Sequence, residues 1–147
     1  MSGRYDPLLL KNQLCFPVYL CAKEIVNRYS EPLSRMDLSY TQYVIMMYMW
    51  EKEEATAKQL SDSLLLDQST LTPLLKKLEA KGYIQRCRSC DDGRSAVISL
   101  TETGYNLRDE ALSVPETMKC CIDISEDEAV QLYGIMNKIL CNIRKEN

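Results

Sequence analysis

The stretch from Thr56 to Leu100 constrains the fold of this 147-residue chain more than any other. Thr56-Ala57-Lys58-Gln59 is a capping box, in which a hydroxyl and an amide satisfy the free N–H groups of a helix start reciprocally. A short helix therefore opens here and ends near Leu64. After a turn through Leu66 and Asp67, the side chains of Leu71, Leu74, Leu75 and Leu78 make one apolar stripe on a second helix. That helix stops at Gly82, the residue type favoured just past a helix C-terminus. Its start has two readings: Asp67 or Ser69 caps it and Pro73 lies inside, or Thr72 caps it and Pro73 is its first residue. Tyr83 to Cys87 and Ala96 to Leu100 are strand-like runs, and the Asp92-Gly93 pair between them is a strong turn signal. Two short helices followed by a hairpin make a winged helix-turn-helix. In that fold the second helix enters the DNA major groove and the hairpin reaches the adjacent backbone or minor groove.

The flanks read as helices that need something to pack on. Leu14, Val18, Cys21/Ala22, Ile25 and Tyr29 recur at helical spacing, and Pro17 suits a first turn, which puts Cys15 at or just before the helix N-terminus. Ser39-Tyr40-Thr41-Gln42 is a second capping box, and the helix it opens is apolar on every side from Tyr43 to Trp50, so burial all round is expected. Thr101 and Glu102 start another helix, which Pro115 is expected to end or kink. Ser125-Glu126-Asp127-Glu128 starts the last, where Ala129, Leu132, Met136, Ile139 and Ile143 form a seam at spacings of three and four. A lone winged helix reads about half of a typical operator, so a homodimer built from both chain ends is inferred. The expected fold is mainly α with a small β-hairpin wing. Residues 1–36 and 101–147 form the dimerisation region of one intertwined domain, and residues 37–100 form the DNA-binding region.

Composition narrows the chemistry. There is no histidine, which removes the Ser-His-Asp, Cys-His and His-metal constellations. The glycines, at 3, 82, 93, 104 and 134, are too scattered for a dinucleotide fingerprint or a P-loop, so no nucleotide site is read, and no cofactor, resident metal or enzymatic activity is expected. The longest apolar run, Tyr43 to Trp50, is too short to span a bilayer and no secretory signal is legible, so the expected location is cytoplasmic. Seven cysteines in a chain of this size point to reduced thiols, redox chemistry or metal rather than a disulfide framework. Cys21 and Cys141, on apolar helix faces, are expected to be buried packing residues.

The net charge is −3, yet residues 67–95 carry six basic and four acidic side chains. Any polyanion contact is therefore expected in that stretch, and with the winged helix and the homodimer the partner is read as duplex DNA, a pseudo-palindromic operator. Opposite the leucine stripe lie Ser69, Thr70, Thr72, Pro73, Lys76 and Lys77, with small hydroxyls for bases or phosphates and ammonium groups for phosphates. Arg86 and Arg88 extend the basic surface along the first strand. At the hairpin tip Arg94 offers a planar cation for the minor groove, with Asp92 close enough to orient it.

Asp92-Gly93-Arg94-Ser95-Ala96-Val97-Ile98-Ser99-Leu100-Thr101 resembles the wing signature of MarR-family transcription regulators. Asn12-Gln13-Leu14-Cys15-Phe16, Tyr29, Ser39-Tyr40-Thr41-Gln42-Tyr43, Trp50-Glu51 and Thr70-Leu71-Thr72-Pro73-Leu74-Leu75-Lys76-Lys77 resemble the OhrR subgroup of peroxide sensors. The resemblance implies a dimeric repressor that releases its operator when organic hydroperoxide or a related oxidant oxidises Cys15. It also implies that Tyr29 and Tyr40 of the other subunit hydrogen-bond the sulfur, with Tyr19 and Phe16 at the same pocket. In two-cysteine members a second cysteine near the end of the fifth helix resolves the oxidised sulfur; Cys120 matches that place and Cys121 adjoins it. Independently, a sulfur at a helix N-terminus meets the positive end of the dipole, which favours the nucleophilic thiolate.

Two features depart from the subgroup. Pro17 stands where a small helix former is usual, and Cys87-Arg88-Ser89-Cys90 is an added CxxC. The CxxC reads as a redox pair, as half of a zinc site with Cys120 and Cys121, or as two incidental wing cysteines. Release by a small aromatic ligand, a thiol peroxidase and a zinc module are the competing functions.

Overall fold

The computed structural model describes residues 3–88 and 96–145, with the backbone alone at position 88. Two short 3-10 turns lead into α1 (Cys15–Arg28) and α2 (Ser30–Ser34), followed by α3 (Tyr40–Lys52) and β1 (Glu54–Thr56). Next come α4 (Ala57–Leu64), α5 (Gln68–Ala80), β2 (Ile84–Arg88) and β3 (Ala96–Leu100). The chain closes with α6 (Glu102–Ala111), α7 (Ser113–Ile122) and α8 (Glu126–Lys145). Among the described residues no helix is long and apolar enough to cross a membrane.

The three capping boxes all form. In α3 and α4 the Ser39 and Thr56 hydroxyls accept the third-residue N–H, and Gln42 and Gln59 accept the cap N–H in return. At α8 Ser125 and Glu128 exchange the same pair, and those hydrogen bonds hold the Glu128 carboxyl below its usual range. The reading helix α5 begins after Asp67, so Pro73 lies inside it, and this decides between the two starts the sequence allowed. Its end is a Schellman turn: the Tyr83 N–H reaches the Leu78 carbonyl at 3.1 Å and Gly82 takes φ +75°.

Several expectations need correction. Helix α3 is not buried all round; Met47 is 40% exposed and Tyr48 and Trp50 are only partly covered, although α2, α4, α5, α6 and the sheet all pack against the helix. Pro115 does end a helix: α6 stops at Ala111, the residue four before it whose carbonyl a proline cannot serve, and after the break at Leu112 Pro115 sits in the first turn of α7. Cys21 and Cys141 are exposed in the chain, since the helices that carry them bury nothing within it. The sheet has a third strand, ordered β1-β3-β2, with Ala55 opposite Ile98 and Arg86 opposite Ile98 on the other side.

The core is one cluster. Ile45, Met46 and Met49 of α3 pack with Leu60, Leu71, Leu75 and Leu78 of the helix pair and with Ile84 and Ile98 of the sheet. By contrast α1 and α8 contain no buried residue. Their large apolar side chains, among them Leu20, Val26, Val130, Leu132, Tyr133 and Ile143, face outward.

The wing root is tied to the helices at Gly104. Thr101 caps α6 and its hydroxyl also donates to the Gly82 carbonyl at 2.5 Å, while the Trp50 indole donates to the Gly104 carbonyl at 2.8 Å. A Cβ on Gly104 would lie 1.9 Å from the Tyr83 carbonyl oxygen. Alanine ordinarily gains stability over glycine inside a helix by about 0.5–1 kcal/mol. Here the sign reverses: Gly104→Ala is expected to destabilise by about 1–3 kcal/mol as overpacking against backbone. Urea unfolding read through Trp50, the single tryptophan, checks this; a variant as stable as the parent would refute the close approach.

Candidate nucleic-acid interface and thiol site

The turn between α4 and α5 sets the reading helix. Leu65 takes the left-handed conformation at φ 54°, and the Ser61 hydroxyl donates to the Leu66 carbonyl at 2.6 Å. Leu71, Leu75 and Leu78 are then buried, and Ser69, Thr70, Thr72, Pro73, Lys76 and Lys77 are all exposed on the outer face of α5. Among the described residues Lys76 and Lys77 enter no ion pair, so both ammonium groups face solvent unneutralised by a carboxylate. That face has the hydroxyls, the cations and the convexity that a DNA groove requires.

Not every expected cation is equally free. Arg86 pairs with Glu79 at 3.3 Å, across from α5 to β2, which fixes the strand to the reading helix and reduces the charge it offers to phosphate. Asp92 and Arg94, with Cys90 and the rest of the hairpin tip, lie outside the described residues, as does the Arg88 side chain. The hairpin root is well defined, with Arg88 opposite Ala96.

Cys15 is the first residue of α1 and is exposed. The cap before it, Leu14, supplies no side-chain hydrogen bond, so the N–H groups of that first turn remain directed at their surroundings. Phe16 and Tyr19 are exposed beside it, Tyr19 by 61%. Tyr29 caps the other end of α1, where its ring lies 4.8 Å from that of Tyr40 and 6.0 Å from that of Tyr43. Burial, then the neighbouring Tyr40, pushes the Tyr29 phenol above its ordinary value, and Tyr43 is raised for the same reason by burial, Tyr29 and Tyr40. These phenols stay protonated at neutral pH and remain donors. Tyr43 was not foreseen as part of this cluster; its spacing from Tyr40 is helical and its apolar staple position concealed the role.

The structure does not bring Cys15 and the tyrosines together within one chain. A helix rises about 1.5 Å per residue, so the 14 residues of α1 hold Cys15 about 21 Å from Tyr29. Cys120 and Cys121 are both exposed near the end of α7. Among the described residues no group of three metal-ligating side chains assembles.

Comparison with known proteins places this arrangement. The family model of the transcriptional regulators SarA/Rot matches residues 28–111. The organic hydroperoxide resistance transcriptional regulator of Bacillus subtilis (strain 168) is 36% identical over 147 residues, spanning 100% of both chains. Among solved structures, reduced AbfR bound to DNA, a protein of Staphylococcus epidermidis, matches with a TM-score of 0.77 at 28% identity over 96% of this chain and 99% of that one. Disulfide-formed AbfR matches with a TM-score of 0.64 at 28% identity over 93% and 96%. The chain belongs to the SarA/Rot family of transcriptional regulators and is a MarR-like winged-helix, DNA-binding protein.

Proposed function

We propose that the protein is a homodimeric repressor that reads a pseudo-palindromic operator with α5 and the wing and releases it when organic hydroperoxide oxidises Cys15. The observation that carries this reading is the geometry of α1. Its exposed N-terminal thiol lies a full helix length from the tyrosine cluster, and its uncovered apolar face calls for a second copy. Antiparallel apposition of two such helices puts Cys15 of one chain beside Tyr29 and Tyr40 of the other, with Phe16 and Tyr19 walling the site. In this reading residues 1–36 and 101–147 are the dimer base, residues 37–100 read DNA, and the protein acts in the cytoplasm.

The chemistry is balanced with a hydroperoxide as oxidant. The Cys15 thiolate attacks the terminal peroxide oxygen, the O–O bond breaks, and the alkoxide leaves and takes up a proton as an alcohol, giving a sulfenic acid. A thiol of Cys120 or Cys121 from the partner subunit then displaces water and forms a disulfide. Closing that bond demands Cα atoms within about 7 Å, a pull on the dimer base that alters the separation of the two reading helices. Supporting this, the full-length similarity is to a regulator of organic hydroperoxide resistance, and the chain shares its fold with AbfR, a protein whose structures include reduced, overoxidised and disulfide forms.

Three outcomes are expected. Cys15→Ser should bind operator DNA like the parent yet keep its affinity after a one-equivalent cumene hydroperoxide pulse in a gel-shift assay; equal sensitivity to the pulse refutes Cys15 as sensor. Removing Lys76 or Lys77 as alanine should lower the slope of log affinity against log salt by about 0.9 per lost phosphate contact. Sedimentation equilibrium should return the mass of two chains, and Leu132→Asp with Ile143→Asp should return one and abolish tight operator binding.

A further inference from the structure

We propose that Lys81 is a positioning residue that couples the tyrosine cluster to the reading helix, so that a change at the thiol pocket alters the seating of α5 within its own subunit. The inference rests on the thiol-sensing reading above, and adds a route inside each chain to the change in dimer spacing.

The observation is a junction between two turns far apart in sequence. Lys81 is the C-cap of α5 and its side chain is 24% exposed. An ammonium has three donors. Here one meets the Asp37 carboxylate at 3.0 Å, one the Asp37 main-chain carbonyl, and one the Gln42 side-chain oxygen at 3.5 Å. Two residues further on, the Tyr83 hydroxyl donates to the Met36 carbonyl at 3.1 Å. The turn after α5 therefore grips the turn before α3 at both Met36 and Asp37, and Asp37 holds a left-handed φ of 50° that leaves this turn one defined shape.

The gripped turn is continuous with the tyrosines. Gln42, 3% exposed, is the buried polar side chain of the core, and its oxygen accepts both the Ser39 N–H of the α3 cap and the Lys81 ammonium. Between Ser39 and Gln42 sits Tyr40, the first residue of α3, whose ring lies 4.8 Å from that of Tyr29 and is tilted 55° to it. An open groove of about 780 Å³ runs along this path, lined by Tyr40, Gln42, Lys77 and Lys81. Displacing Tyr40 disturbs the cap, the cap shares its acceptor with Lys81, and Lys81 ends the helix that carries Lys76 and Lys77. An exposed ion pair contributes little to stability. Its worth here is directional, since no other charged side chain among the described ion pairs spans α5 and the α2–α3 turn.

The test compares operator affinity before and after the hydroperoxide pulse. The parent is expected to weaken by about 5- to 150-fold, the range of ordinary allosteric coupling. Lys81→Met should keep reduced-state affinity within about fivefold of the parent, as befits loss of a partly exposed ion pair. Its oxidative loss should shrink to about twofold or less. Lys81→Arg should restore the parent's response, and mass spectrometry should find Cys15 oxidised equally in all three. A Lys81→Met response as large as the parent's overturns the inference and leaves the sensing reading standing; a parent that does not respond overturns the sensing reading itself. Should Lys81→Met fail to fold, Lys81→Ala, which removes all three donors without the bulk of methionine, carries the same decision.

Discussion

Apolar surface left in water costs about 25 cal/mol per Å², and in this chain that cost falls on its two longest helices. Helices α1 and α8 bury no residue, although both present leucine, isoleucine, valine and tyrosine side chains. Ile25 of α1 packs partly buried against the core around Met46, Leu75 and Ile98, and the outer faces of both helices add nothing to it. One core thus joins the reader to α2, α6 and α7 through Leu33, Leu107, Val114 and Met118, while the outer faces of α1 and α8 are left to be covered, and the proposed regulation concerns how events at those faces reach the reader.

The reader is held by a few close contacts rather than by its bulk. Gly104 lets α6 lie against the Tyr83 backbone, Trp50 and Thr101 hold the same joint from either side, and Arg86 binds the first wing strand to α5 through Glu79. With the junction at Lys81 and Tyr83, the start of β2 and the end of α5 are anchored to the turn that leads to Tyr40. A rigid reader suits a task in which two copies must match a fixed half-site spacing.

Much of this was legible in the sequence, and for local reasons. The capping boxes at Ser39, Thr56 and Ser125 are made by residues three apart, and the Gly82 terminus and Pro17 first turn depend on single residue types. What escaped depends on partners far along the chain. The strand β1 is three residues long, too short to show alternation, and exists through its pairing with β3. Helix α2 has five residues and is placed by Leu33 entering the core. The Lys81–Asp37 contact spans 44 positions, and a basic residue in a basic stretch gave no sign that its charge was already engaged. Cys21 and Cys141 were read as interior because their helix faces are apolar, which holds for the faces and not for a single chain.

Every free cysteine among the described residues, at 15, 21, 87, 120, 121 and 141, is open to solvent in the single chain. In the single chain, access alone gives no oxidant molecule a reason to choose one sulfur over the next. Wherever several sulfurs stay reachable, a scarce reagent is apportioned by how fast each reacts, and a sentinel is set apart by kinetics rather than shelter.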